Sequence, residues 1–373
     1  MRQQPVNIAR REFLIGTATA GAGFSLGMYL PLAGSAELAE QAVTSEVNAW
    51  VVIEPDDTVI IRIARSEMGQ GTLTGLAQMV AEELECDWSR VTTEYPTPGQ
   101  NLARERIWGS FSTGGSQGIR GSQLYVRKGG AIAREMLIEA ATEAWDVPRD
   151  ECRVSASVIT HTPTGRTTTY GKVAAAAARL FPPEQVELKD PKDWKLIGKP
   201  VKRLDTLDKL TGKQVFGADL QMPGMLNATI RACPIFGGKL ESFDDSRVRK
   251  MPGVHTVVRV EDDAVAVVAD TWWQAKTALD ALPVIWDKGP NAGVSSASIE
   301  QMLDGGLGAD EAFVGNQVGD AGKALKSAVK TVEAVYAYPY QNHATMEPMN
   351  ATARWTEDRC EVWCPTQNGE AAL

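Results

Sequence analysis

Three short segments concentrate the residues able to do chemistry. Glu67-Met68-Gly69-Gln70-Gly71 lies between an apolar strand pattern and an apolar helix pattern. Its glycines let backbone approach a ligand, and the N–H groups that open the next helix are donors for an anion. Gln70 adds an amide with two donors and an acceptor. The same residues also describe a plain strand-to-helix turn whose glycines only supply positive φ. Residues 109–118, opening Gly109-Ser110-Phe111-Ser112-Thr113-Gly114-Gly115-Ser116, offer many backbone N–H groups and four hydroxyls with little bulk. That composition suits a pyrophosphate cradle, or a flexible loop. It is not the GxGxxG that follows a strand in dinucleotide folds, and the lysine-bearing phosphate-loop pattern is absent. The third segment, Gln341-Asn342-His343-Ala344-Thr345-Met346-Glu347-Pro348, combines amides, an imidazole and a carboxylate. His343 and Glu347 are four apart, but Pro348 stops a helix there, so the pair reads as structural rather than as metal ligands.

Other chemistries find no support. Cys86, Cys152, Cys233, Cys360 and Cys364 form neither a CxxC pair nor a four-cysteine set, so an iron–sulfur or structural zinc site is not expected. On a strand, Cys360 and Cys364 would face the same way. His161, His255 and His343 are scattered, and no metal ligand is assigned. No Ser/His/Asp or Cys/His nucleophile arrangement can be identified.

The elements that must position these segments follow from periodicity. Val51–Ile53 and Val59–Ile63, around Pro55-Asp56-Asp57, predict a hairpin. Leu73, Leu76, Val80 and Leu84 predict an amphipathic helix to about Asp87. Residues 95–121 read as loop. A long helix is expected from Ser122 to Trp145, with Leu124, Ala131, Ile138 and Trp145 on one face. Pro182-Pro183 and Lys189-Asp190-Pro191-Lys192-Asp193 mark a connector. A mixed unit follows over about 196–288. Its strands are Val254–Val260 and Ala264–Ala269, joined by Glu261-Asp262-Asp263. A helix over Thr271–Ala281 is capped by Thr271, and Val284–Trp286 is another strand. Residues 289–325 read as connector or surface loop. Strands are expected at Val332–Ala337, Ala351–Trp355 and Cys360–Trp363. The last residues, Glu370-Ala371-Ala372-Leu373, are helix-forming but uncapped, which suggests about half of a working subunit. There is no internal repeat.

Composition sets the frame. The chain has 373 residues, enough for two or three domains. Hydrophobic residues are 43% and charged residues 23%, which excludes wholesale disorder. The charge sum, 38 − 47 = −9 without basic blocks, argues against nucleic acid as a partner. Arg10-Arg11-Glu12-Phe13-Leu14 precedes an uncharged, mildly apolar stretch from Phe13 to Ala33. That pattern reads as a twin-arginine export signal, with cleavage expected between Ala33 and Ala42; a membrane anchor is the alternative. The twin-arginine route carries folded proteins, often with a cofactor inserted.

Taken together and in order, these segments resemble the molybdenum-binding large subunit of the xanthine oxidase and aldehyde oxidase family, in particular its isoquinoline 1-oxidoreductase beta-subunit type. Glu67–Gly71 looks like the family's pterin-contacting EMGQG loop. Gly212-Lys213 to Leu226, Met251–Val254 and Val265–Asp270 look like its α/β hammerhead domain. His343–Pro348 followed by Pro365-Thr366-Gln367 looks like the segment leading to the molybdenum site. The resemblance implies an α+β fold with molybdenum cofactor-binding elements in permuted order plus a hammerhead. Residues 1–45 would be export signal and linker, and 46–180 the permuted molybdopterin-binding segment. A linker at 181–195, the hammerhead at 196–290 and a connector at 291–329 follow. Residues 330–373 would be the truncated start of the molybdenum-binding domain.

The resemblance also implies roles. Met68, Gly69, Gln70 and Gly71 would contact the pterin, and Gly109, Ser110, Phe111, Ser112 and Thr113 would lie along the pyrophosphate. Gln367 would be the catalytic glutamine whose amide donates to an oxo ligand of molybdenum. None of the glutamates present matches the family's general base. The cofactor would be molybdopterin with molybdenum, in the cytosine dinucleotide form, and 2Fe-2S clusters would sit on a small iron–sulfur partner subunit. A c-type cytochrome or another periplasmic acceptor would take the electrons. The implied reaction is oxidation of an aldehyde or N-heteroaromatic small molecule with water as oxygen donor, in the periplasm and with a membrane association open. The alternative is an exported, non-catalytic ligand- or partner-binding protein on the same folds.

Overall fold

A computed structural model describes residues 45–311 and 313–373. The twin-arginine segment lies outside the described residues. Among the described residues no helix is long and apolar enough to cross a membrane. They pack as two units, one formed by residues 45–217 and 350–373, the other by Ala218–Met349. The fold is mixed helix and strand.

In the first unit, β1 (Ser45–Asn48), β2 (Val51–Ile53) and β3 (Val59–Arg62) pair antiparallel in sequence order, as the hairpin pattern requires. β4 (Val91–Glu94) joins β3 in parallel, so a crossover is needed, and α1 (Thr72–Leu84) supplies it. The stripe Leu73, Leu76, Val80 and Leu84 is buried. Each such side chain contributes about 1.5–3 kcal/mol by leaving water. α1 packs against a second long helix, Gln123–Trp145, hereafter the core helix. A Cβ on Gly130 would run into the Val80 carbonyl oxygen, so only glycine allows this approach.

The core helix buries Val126, Ala133, Met136, Leu137 and Ala140, whereas Leu124 is 57% exposed. Of the expected face, Ala131 and Ile138 are buried and Trp145 packs against the core, so the correction is confined to Leu124 in the first turn. A seven-residue spacing drifts by about 20° per repeat on a straight helix, which carries Leu124 at its start off the buried side. Two short helices occupy the segment read as loop, α2 (Pro98–Ala103) and α3 (Gln117–Arg120). Thr97 and Gln100 form a capping box at α2, with Pro98 in its first turn. The core helix is α4 in chain order. It is followed by the antiparallel meander β5 (Cys152–Ser155), β6 (Val158–His161) and β7 (Arg166–Thr169), then α5 (Tyr170–Ala177). Tyr170 is fully buried and donates to the Leu84 carbonyl at 2.5 Å, satisfying the last turn of α1.

Composition marked the connector, but its backbone is pinned. Glu82, 1% exposed, accepts the N–H groups of Lys195 (2.8 Å), Leu196 (2.5 Å) and Ile197 (3.1 Å), and the Lys189 ammonium (3.0 Å). Glu83, fully buried, takes Arg127 Nε and the Lys189 N–H. Gln78 donates to the Leu196 and Lys199 carbonyls, and the Leu204 N–H donates to Thr74 Oγ1. Thr74, Gln78 and Glu82 are spaced by four, so residues 189–204 run as a strap along one stripe of α1. Residues 196–217, including α6 (Thr206–Thr211), thus pack with the first unit.

The second unit has a three-stranded antiparallel sheet, β8 (Asn227–Ala232) and β10 (Val254–Val260) flanking β11 (Ala264–Ala269). β9 (Lys239–Phe243) pairs with β12 (Val284–Asp287), and α7 (Trp272–Asp280) starts at a Thr271/Gln274 capping box. Leu240, Val248, Val257, Val265, Val267 and Leu279 form its core. The segment read as connector contains α8 (Ser296–Gly306) and α9 (Ala321–Ser327), capped by Ser295 and Asp320. The expected strand at Val332–Ala337 is not formed: the segment has no ladder partner among the described residues, and Val332, Val335 and Tyr336 are exposed.

Back in the first unit, β13 (Thr352–Trp355) and β14 (Cys360–Trp363) form a hairpin. A single turn, α10 (Gly369–Ala372), follows and is capped by Asn368.

Candidate functional site

The strand-to-helix turn before α1 brings the first segment to the surface. Gly69 and Gly71 hold φ of 98° and 89°, in the left-handed region that favours glycine. Met68, Gly69 and Gln70 are exposed. The N–H groups expected to receive an outside anion are already taken. Glu67 accepts from Gly69 N (2.7 Å), Gly71 N (3.0 Å) and Leu73 N (3.0 Å). Its side chain, 7% exposed, is the anion at this helix N-terminus. Gln70 also folds back, Oε1 accepting from Met68 N (2.6 Å) and Nε2 donating to the Ser66 carbonyl (2.9 Å). Each amide atom keeps one hydrogen-bonding position for another group.

The second segment is drawn to the first by Arg65. Its guanidinium donates to the carbonyls of Ser110 (2.9 Å) and Ser112, and to Ser122 Oγ (3.0 Å). With carbonyls turned toward Arg65, the N–H groups of Ser110, Gly114, Gly115 and Ser116 have no hydrogen-bond partner among the described residues. Gly109, Ser110, Ser112, Gly114, Gly115 and Ser116 are exposed. Phe111 is 8% exposed and packs with Ala49, Ala64 and Trp108, so its ring anchors the loop from below and only its backbone faces the rim. Thr113, 5% exposed, is a junction rather than a rim residue.

The third part arrives from the C-terminal hairpin. The Ser66 N–H donates to Thr113 Oγ1 (2.9 Å), Ser66 Oγ donates to the Thr366 carbonyl (2.9 Å), and the Thr113 N–H donates to the Gln367 carbonyl (2.7 Å). Three segments far apart in sequence therefore meet at Ser66 and Thr113. The Gln367 side chain is exposed, and its amide has no partner among the described residues. His343 and Glu347 belong to the second unit.

Sequence reasoning missed the residues that lock the junction. Asn101, fully buried, donates to the Gly109 carbonyl (2.8 Å) and to Glu370 Oε1 (2.5 Å), and accepts from Trp108 N (3.1 Å). Arg203 donates to the Gly69 carbonyl (2.8 Å) and to Glu67 (3.2 Å). Arg203 in turn holds the Asp205 carboxyl well below its ordinary range, with the Lys209 ammonium adding to the effect against the opposing push of burial. Asn101 had one legible signal, its place three residues after the Pro98 that opens a capped turn.

The chemistry of this rim is donor-rich and almost uncharged. It fits an elongated, phosphate-bearing group approached by backbone, and no group of three His, Cys, Asp or Glu able to hold a metal ion directly occurs among the described residues.

Comparison with known proteins agrees with that chemistry. A molybdopterin cofactor-binding domain family matches residues 2–218, and a second family of the same description matches 309–372. The chain is 29% identical to the beta subunit of isoquinoline 1-oxidoreductase from Brevundimonas diminuta, over 98% of this chain and 52% of that protein. It is 28% identical to a membrane-bound aldehyde dehydrogenase [pyrroloquinoline-quinone] of Gluconacetobacter polyoxogenes, over 94% and 47%. A nicotinate dehydrogenase of Pseudomonas putida is 26% identical over 87% of this chain and 27% of its own length. The chain thus spans about half the length of the first two. Among solved structures, the aldehyde oxidoreductase of Desulfovibrio gigas is 21% identical with a TM-score of 0.35, covering 52% of this chain and 27% of that one.

Proposed function

Because this chain belongs to the molybdopterin cofactor-binding domain family, we propose that its 68–71, 109–116 and 366–367 rim holds the pterin and pyrophosphate of that cofactor. The supporting observation is the junction of Ser66, Thr113 and Gln367, which gathers the exposed donors on one surface. The unpartnered N–H groups of Ser110, Gly114, Gly115 and Ser116 receive phosphate oxygens, and the Ser110 and Ser112 hydroxyls add donors. Gln70 offers its remaining donor and acceptor to the pterin edge. Gln367 offers an uncommitted amide N–H₂ to an electronegative atom at the reacting end, the placement that stabilises developing negative charge. When bound, the group supplies two-electron redox chemistry at its molybdenum.

The wider reading follows from the relatives named above. The chain is a large-subunit portion of an enzyme that oxidises aldehydes or N-heteroaromatic compounds with water as oxygen donor. The cytosine dinucleotide form of the cofactor, a permuted order of binding elements and a hammerhead in the second unit belong to the same proposal. So do a 2Fe-2S partner subunit, a c-type cytochrome or similar acceptor, and export to the periplasm by the twin-arginine route. The test is turnover of the assembly purified from its native host, with a panel of aldehydes and quinoline-type heterocycles and an artificial electron acceptor. Reduction with at least one class supports the proposal. No turnover, in an assembly that also releases no pterin with acid, refutes it.

A further inference from the structure

We propose that Arg203 is a positioning residue for the cofactor loop, clamping 67–71 from outside and joining it to the strap along α1. This inference rests on the reading of 68–71 as cofactor-binding. Arg203 is gripped first. Its Nε and Nη2 donate to the two oxygens of Asp205 (3.0 and 2.8 Å), a bidentate fork, and Lys209 Nζ (2.6 Å) holds Asp205 from the other side. Asp205 is 9% exposed, so the carboxylate end of this anchor is shielded from solvent, while the Arg203 and Lys209 side chains stay about a third exposed. The remaining guanidinium edge then faces the loop. Nη1 takes the Gly69 carbonyl (2.8 Å) and Nη2 takes Glu67 Oε1 (3.2 Å).

The consequence is a chain of orientation. Arg203 fixes Glu67, and Glu67 fixes the N–H groups of Gly69, Gly71 and Leu73. Gly69 at φ 98° is held by its N–H on one side and by its carbonyl on the other. Gly69 and Gly71 have no Cβ to restrict their peptide planes, so these bonds do much of the ordering. The outward groups of Met68 and Gln70 are thereby set before any ligand arrives, which lowers the ordering cost of binding. A planar five-donor fork can hold Asp205 and the loop together; a lysine ammonium at the same place reaches one side at a time.

The experiment compares the wild-type chain, in its native assembly, with Arg203→Ala, Arg203→Lys and the distant core variant Ile159→Ala. Amide hydrogen exchange reads the loop, and the rate of pterin loss on dialysis reads the site. Arg203→Ala is expected to speed exchange at Gly69, Gly71 and Leu73, and pterin loss, by about tenfold or more, since it removes both charge-assisted bonds to the loop. Arg203→Lys should recover part of both. Ile159→Ala lowers the melting temperature without either local effect. Exchange and pterin loss within about twofold of wild type in Arg203→Ala overturn the inference. So does Ile159→Ala, at a matched loss of melting temperature, reproducing both. A wild-type assembly without pterin overturns the functional reading instead, and the exchange arm still decides the clamp.

Discussion

Glu82→Gln removes one charge from the centre of the strap and changes the side-chain shape very little. Glu82 is 1% exposed and holds three backbone N–H groups and the Lys189 ammonium. Hydrogen bonds to a charged acceptor are worth about 1.5–3 kcal/mol and those to a neutral one about 0.5–1.5. The difference, roughly 1 kcal/mol for each backbone bond, sums to about 3 kcal/mol before Lys189 is counted. Lys189 then meets an amide N–H₂ and keeps its Glu85 partner (3.4 Å), so losing its Glu82 contact adds to the loss rather than offsetting it. For a unit of this size the melting temperature should fall by roughly 6–12 °C if the strap and core unfold together. If the strap opens alone, exchange at the Lys195, Leu196 and Ile197 amides should rise about a hundredfold instead. Differential scanning calorimetry and hydrogen exchange on one preparation separate the two. A melting temperature within about 2 °C of wild type, with exchange at those amides unchanged, would refute the claim that Glu82 pins the connector.

Other perturbations give equally definite outcomes. Gly71→Ala puts a Cβ on a residue at φ 89° and should destabilise the first unit by about 1–2 kcal/mol in urea titration. Gln367→Ala, at an exposed side chain, should leave the urea midpoint within about 0.5 kcal/mol of wild type. In the loaded enzyme it should lower turnover about 10²–10³-fold. Burial would raise the Glu82 carboxyl, but the Leu196 N–H, the Lys189 ammonium and the Ile197 N–H together hold it below its ordinary 4.5. A lowered folded value means the stability it brings is complete at neutral pH and is lost as the pH falls from about 4.5 through that folded value, so urea midpoints should drop between pH 5 and pH 3 and Glu82→Gln should flatten the drop. Burial pushes the Cys86 thiol up to about 12, so at pH 8 a thiol reagent should label exposed Cys360 first and leave Cys86 untouched until the chain unfolds.

Much of the architecture was legible because local rules and burial agreed. The hairpin around Asp56-Asp57, the stripe from Leu73 to Leu84 and the Thr271 cap each carry their own signal, and each formed. The strand at Val332–Ala337 shows the limit of alternation: a pattern specifies a face, but a strand needs a neighbour to pair with. The strap could not be read at all. Glu82 and Glu83 look like solvent-facing helix residues, and only the folded chain shows that 189–197 brings N–H groups and a lysine to them. The exposed backbone of 68–70 and 109–116 was legible as composition, since glycines and small hydroxyl residues announce it. Their meeting with Thr366 and Gln367 spans about 300 residues of sequence and depends on Ser66 and Thr113, whose roles no spacing could reveal.

The central claim, that the rim of 68–71, 109–116 and 366–367 holds a molybdopterin cofactor, meets its most direct test in one analysis. The assembly is purified from its native host, and molybdenum, acid-released pterin and acid-released nucleotide are measured per large-subunit chain. About one molybdenum and one pterin per chain are expected, with cytidine monophosphate as the nucleotide. An assembly that releases neither molybdenum nor pterin, or that releases a quinone in their place, would contradict it.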